Sequence, residues 1–141
     1  MEGNFKIIKP GDNLKIENIE INVVDAYNTS EGNSTRKLHH KVDGVGYIIK
    51  LDGKTIYHAG DTDFIHEMKD FDKIDVALVP NGGIFTMDIE EAFKAVSAIK
   101  TEFVIPMHIR DVDPMEFKIK VEKNSDIKVI PLQIGENFNL K

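Results

Sequence analysis

Apolar residues recur along this chain with two different periods. Between residues 19 and 26, Ile19, Ile21 and Val23 alternate with Glu20 and Asn22, which predicts a strand with one buried face. Further strands are expected at residues 45–51 and 54–57. Asp52-Gly53 between them suits a tight hairpin, because glycine tolerates positive φ. Residues 5–8 read as a short edge strand closed by the turn signal Pro10-Gly11-Asp12. Farther along, Ile74, Val76, Ala77, Leu78 and Val79 form an apolar run broken only by Asp75. Such a run predicts a strand at residues 74–79 covered on both faces. The period then changes: Ile89, Ala92, Phe93, Val96 and Ile99 fall at helical spacing, with Asp88 and Glu91 placed as an N-terminal cap. Residues 103–107 read as another buried strand ending at His108, and Asp113-Pro114 opens a helix to about residue 123. A short helix is expected over residues 64–69, and late strands over 128–132 and 136–140.

Between these elements, residues 28–41 are polar and without periodicity, a loop of the length that is usually functional or disordered. No repeat or linker interrupts the pattern, so residues 1–141 read as a single α/β domain with a mixed sheet. An apolar fraction of 41% and a charged fraction of 30% fit a soluble globular protein. The net charge of −6, with no basic run, argues against a nucleic-acid binder. The absence of cysteine removes disulfides, thiolate metal sites and cysteine nucleophiles together. With no signal pattern at Met1-Glu2-Gly3-Asn4-Phe5 and no apolar run of the roughly 18 residues a bilayer requires, the expectation is a cytoplasmic protein without a membrane span.

Three strand ends carry the chemistry. The strand at 54–57 delivers His58 and Asp61, that at 74–79 delivers Asn81-Gly82-Gly83, and that at 103–107 delivers His108. Ligands gather outside the carboxyl ends of strands in open α/β sheets, and imidazole with carboxylate suits zinc, iron or manganese. Each residue also has a plain structural reading. Asp61 can cap the helix that follows it. His108 can be an ordinary strand-end residue, and His39 and His40 can be solvated in their loop. His66 reads as surface. Asp61-Thr62-Asp63 is also the arrangement of an aspartyl phosphotransferase nucleophile, but Ile65 stands where that family has Thr or Val.

Gly44-Val45-Gly46-Tyr47, Tyr57-His58-Ala59-Gly60-Asp61-Thr62-Asp63, Val79-Pro80-Asn81-Gly82-Gly83-Ile84-Phe85-Thr86-Met87 and Ile105-Pro106-Met107-His108 occur in this order. Together they resemble one branch of the metallo-β-lactamase superfamily, and Ala26-Tyr27-Asn28 before the long loop also matches. The resemblance implies half of an αββα sandwich, the C-terminal half, with a mixed sheet flanked by helices. It implies that Asp61 bridges two metal ions and that His108 binds one of them. A histidine from the middle of the chain, His39 or alternatively His40, would serve the other. His58 and Asp63 would support these ligands from behind. In many relatives a histidine stands where this chain has Asn28. The family's H-x-H-x-D-H string, which supplies further ligands, does not occur here. The implied reaction is attack of metal-activated water on an ester, phosphodiester, amide or lactone. The implied cofactor is a divalent metal, with zinc ahead of manganese and iron. Two organisations follow: a hydrolase half completed by an N-terminal half subunit, or a non-catalytic, homodimeric module with a remnant metal site.

Overall fold

The computed structural model describes residues 5–141, and its frame is a seven-stranded sheet whose strands lie side by side in chain order. β1 (Asn13–Ile16), β2 (Ile19–Ala26), β3 (Gly44–Leu51) and β4 (Lys54–His58) pair antiparallel. β5 (Val76–Pro80), β6 (Phe103–Met107) and β7 (Lys128–Val129) extend the sheet in parallel from β4. Antiparallel neighbours need only a tight turn, and Asp52-Gly53 supplies one with both residues at positive φ (51° and 75°). Parallel neighbours need a crossover. α1 (Ile89–Ile99) connects β5 to β6, and α2 (Pro114–Asn124) connects β6 to β7. Both helices start on an aspartate cap. Asp88 Oδ1 accepts from Glu91 N at 2.8 Å, and Asp113 Oδ1 from Met115 N at 2.9 Å.

The pairing register separates the two faces of the sheet. Ile48, Tyr57, Ala77, Val104 and Val129 lie in one row across β3 to β7 and pack against Val96, Phe117 and Val121 of the helices. Because side chains alternate, the neighbouring rows point the other way. One contains Ile21, Ile49, Ile56, Val76 and Phe103; the next contains Val23, Tyr47, His58, Leu78 and Ile105. These two rows are apolar apart from His58, with Asp25 and Lys54 on the same face beyond them, and most of their residues are only half-buried. The chain exposes 8785 Å², roughly a fifth more than the ~7,400 Å² expected of a compact monomer of 15.9 kDa. The fold is therefore α/β with a mixed sheet, and the helices cover one face of it.

Several boundaries differ from the sequence pattern. Residues 5–8 form no strand; Phe5 and Ile7 are 89% and 88% exposed and have no partner strand. The first strand is instead β1, where Leu14 and Ile16 pair with β2 across a turn at Glu17 (φ 54°). The expected helix at 64–69 is a 3-10 turn at His66–Asp70. The strand expected at 74–79 spans Val76–Pro80; Asp75, just before it, accepts Thr55 N on its carboxylate at 2.7 Å. Only Lys128–Val129 of the run 128–132 is strand, since Pro131 has no N–H to continue the ladder. Residues 136–140 form no strand either; Phe138 leans on Phe103 with ring centroids 5.1 Å apart.

One core residue carries an unmet demand. Tyr57 is wholly buried with its ring edge-on to Phe71, and its hydroxyl has no hydrogen-bond partner among the described residues. Burial pushes the pKa of this hydroxyl up, as expected where no charge or dipole supports the phenolate. An unpaired buried polar group costs about 1–3 kcal/mol. Tyr57→Phe is accordingly expected to stabilise the fold by about 1 kcal/mol, read as a higher urea midpoint with an unchanged slope.

Candidate metal centre

Beyond β4 the chain passes through Ala59 and Gly60 to Asp61. Ala59 N still donates to Leu78 O at 3.0 Å, which holds the turn to β5. Gly60 adopts φ 67°, and a Cβ there would lie 2.5 Å from Val45 O, so both conformation and space require glycine. His58 Nδ1 accepts the Gly60 N–H at 3.2 Å. This turn presents Asp61 with its side chain 39% exposed and no hydrogen bond among the described residues. His108 follows β6 directly, at φ 52° in the left-handed region. His39 comes from the long loop, where a pair of bonds to Asn28 fixes it. His39 N donates to Asn28 Oδ1 at 2.9 Å, and Asn28 N donates to His39 O at 2.7 Å.

These three elements converge on one carboxylate. His39 Nε2 lies 3.6 Å from Asp61 Oδ2, and His108 Nε2 lies 3.7 Å from Asp61 Oδ1. Each oxygen thus faces its own imidazole. Both separations exceed hydrogen-bonding distance. They are close to the spacing of two ligands on a shared ion: bonds of about 2.0–2.2 Å at a tetrahedral angle hold donor atoms about 3.4 Å apart. A nitrogen and an oxygen donor on each side suit zinc, manganese or iron. These donors would suit divalent ions, with Asp61 and His39 able to hold one and Asp61 and His108 another. Among the described residues no group of three or more histidines, cysteines or carboxylates is placed to hold a single ion, so further ligands would have to come from elsewhere.

Residues 1–108 match the model of the "beta-lactamase superfamily domain". The chain belongs to the beta-lactamase superfamily. A UPF0173 metal-dependent hydrolase of Pyrococcus furiosus is 42% identical over 135 residues, covering 89% of this chain and 57% of that protein. Among solved structures, a protein of Parabacteroides distasonis assigned as a metal-dependent hydrolase superposes with a TM-score of 0.82 at 36% identity, over 91% of this chain and 57% of its own. Igni18, a metallo hydrolase from Ignicoccus hospitalis, gives a TM-score of 0.74 at 36% identity, over 93% and 59%. The chain therefore spans a little under 60% of the length of these relatives.

Within this superfamily member the remaining expected site residues take distinct places. His40 is exposed, and its carbonyl accepts Asp43 N in the turn before β3; the structure brings His39, not His40, to Asp61. His58 lies on the uncovered sheet face and holds the Asp61 turn rather than an imidazole. Asp63 is fully buried and touches neither histidine. Its carboxylate accepts from Asn28 Nδ2 at 3.1 Å, Thr29 N at 2.8 Å and Lys37 Nζ at 3.0 Å, so it reaches His39 only through Asn28.

Lys37 was not singled out in the sequence, Asn28 was noted only as standing where many relatives have a histidine, and Glu91 only as part of the cap of α1. Asn28 Nδ2 also donates to Phe85 O at 2.9 Å, tying the His39 loop to the segment between β5 and α1. Glu91 accepts from Phe64 N at 2.9 Å and from Asn33 N at 2.7 Å, fastening the same loop to α1. Burial raises the pKa of Glu91, and those two backbone donors oppose the rise. The only sequence signal for this clamp was the polar, aperiodic character of residues 28–41.

Gly82 supports the other side. A Cβ at this position would lie 2.3 Å from His108 O, against backbone that cannot swing aside. Gly82→Ala is expected to cost about 1–3 kcal/mol through overpacking and to displace His108. Paired urea unfolding and zinc titration would show lower stability together with weaker metal uptake.

Proposed function

We propose that this chain is the part of a metal-dependent hydrolase that carries the bridging carboxylate, with Asp61, His39 and His108 as its contribution to a two-metal centre. The observation that carries this reading is Asp61 placed between two imidazoles at 3.6 and 3.7 Å, one to each oxygen. Zinc is the ion best suited to two imidazoles and a carboxylate, ahead of manganese and iron. Bound ions at such a centre activate water and polarise the scissile group of an ester, phosphodiester, amide or lactone. The chain's own residues hold the centre. Asp61 keeps the two sides in register, Asn28 fixes His39, and the close packing of Gly82 fixes His108.

The uncovered apolar sheet face supports a second half that packs on it and brings the missing ligands. Two stacked sheets bury such faces against each other at about 10 Å. The surface in excess of a compact monomer, over 1,000 Å² by the scaling relation, is larger than the roughly 800 Å² one partner contributes to a standard interface. The second reading, a non-catalytic homodimer, draws on the same face. Among the described residues no helix is long and apolar enough to cross a membrane, and the proposed setting is the cytoplasm.

Co-expression with a polypeptide carrying the H-x-H-x-D-H half tests the proposal. A 1:1 complex that takes up metal and cleaves simple chromogenic esters or phosphodiesters, with cleavage lost in Asp61→Ala, is the expected result. A stable homodimer that ignores zinc, manganese and the added half would replace it with the second reading.

A further inference from the structure

The sequence contains two arginines, Arg36 and Arg110; every other basic residue is lysine. The fold brings both to one ring. Arg36 Cζ lies 5.9 Å from the centre of Phe85, and Arg110 Cζ lies 4.9 Å from it. Both are exposed, and each is close in sequence to a site histidine, Arg36 to His39 and Arg110 to His108. Their anchoring ties them to the metal centre. Arg36 N donates to Ile84 O at 2.8 Å, and Phe85 O accepts the Asn28 amide that in turn holds His39. On the other side, the Arg110 stem crosses Gly82, with Cγ and Cδ each 3.5 Å from where a Cβ would stand, beside the His108 carbonyl.

Among the described residues neither guanidinium takes part in an ion pair. Gathering two like charges on one ring without a counter-charge is unfavourable by itself, and the aromatic contacts offset only part of it, about 0.5–1 kcal/mol each when exposed. The chain carries a net charge of −6, which opposes the approach of an anion from a distance, so local cations such as this pair are needed to draw one in. Guanidinium presents a planar fork matched to oxyanions, which lysine does not, and two forks suit a doubly charged phosphate better than a carboxylate.

We propose that Arg36 and Arg110, stacked on Phe85, form an oxyanion subsite beside Asp61, His39 and His108, and that the substrate carries a phosphate group. The subsite sets specificity, and its role in a reaction rests on the reading of the neighbouring centre as a hydrolase site. The arginines hold and orient the phosphate; they are positioning residues for whatever bond is cleaved next to it.

The test is calorimetric titration of inorganic phosphate into the metal-stripped full chain, with chelator present so that no cation can bind the phosphate. Saturable binding of one phosphate is expected, weakening as salt rises. Arg36→Gln and Arg110→Gln should each weaken it roughly tenfold or more, the double variant should abolish it, and the lysine variants should recover part. Circular dichroism of each variant confirms the fold. Acetate should bind more weakly than phosphate. Phosphate binding unchanged in the folded double variant, or no saturable binding to the wild type, overturns the subsite; acetate binding as tightly as phosphate overturns the assignment to phosphate. Zinc uptake, measured separately, should be equal in the wild type and the double variant. Arginine-dependent phosphate binding in a chain that takes no zinc, either alone or in complex with the added half, would keep the subsite and remove the hydrolase reading. Zinc uptake with phosphate binding indifferent to the arginines would do the reverse.

Discussion

Asp61→Ala is expected to remove metal binding from both sides of the centre at once. Each carboxylate oxygen faces a different histidine, at 3.6 and 3.7 Å, so one substitution takes a donor from both pairs. What remains is a lone imidazole on each side. The loss in affinity should exceed about a hundredfold, since even outer-shell partners of metal ligands account for 10–100-fold. His39→Ala and His108→Ala should each weaken one side and spare the other. The fold should be indifferent to the change at Asp61, which is half-exposed and makes no hydrogen bond among the described residues; its unfolding free energy should stay within about 0.5 kcal/mol of wild type. Competition with a chromogenic zinc chelator measures the affinities, and urea unfolding provides the control.

Asp63→Ala, two residues farther on, should act chiefly on stability. This side chain is fully buried and accepts from Asn28, Thr29 and Lys37. Removing it leaves a lysine ammonium and two N–H donors of the long loop without their acceptor. Charge-assisted bonds of this kind, and buried pairs broken on one side, place the cost at about 3 kcal/mol. Lys37 keeps partial access to water, and Ser34 and Gly32 O remain as partners, which holds the cost to the lower end for a broken buried pair. Because Asn28 also positions His39, metal on the His39 side should weaken along with stability, while His108 keeps its place. Urea unfolding of the variant beside zinc titration checks both effects. A variant as stable as wild type would show that the loop is held by its backbone contacts alone.

Adjacent carboxylates with such different roles show where sequence reading succeeds. Alternation of apolar residues identified β2, the Asp52-Gly53 hairpin signal marked β3 and β4, and helical spacing behind the Asp88 cap identified α1, because those signals arise from the local backbone. Phe5 and Ile7 carry the same local signal as a strand, yet no neighbour pairs with them; Leu14 and Ile16 do find one in β2. Pairing is a long-range condition that a short apolar run cannot state. The same division holds at the site. Asp61 and His108 were legible as polar residues at strand ends. His39 was preferred to His40 only through the resemblance; the residues alone leave both open, because the position of His39 depends on Asn28, whose side chain is in turn fixed by Phe85 O, far along the chain. Asp63, expected to stand behind a metal ligand, is buried and bonded to Asn28, Thr29 and Lys37, so its link to His39 runs only through Asn28.

Anomalous diffraction from zinc-soaked crystals of the chain, collected on both sides of the zinc absorption edge, tests the central claim most directly. The predicted map has zinc peaks between Asp61 and His39 and between Asp61 and His108, and none at His40 or His66. Zinc bound at other residues only, or no peak beside Asp61 at saturating zinc, would contradict the reading of Asp61 as the bridging ligand.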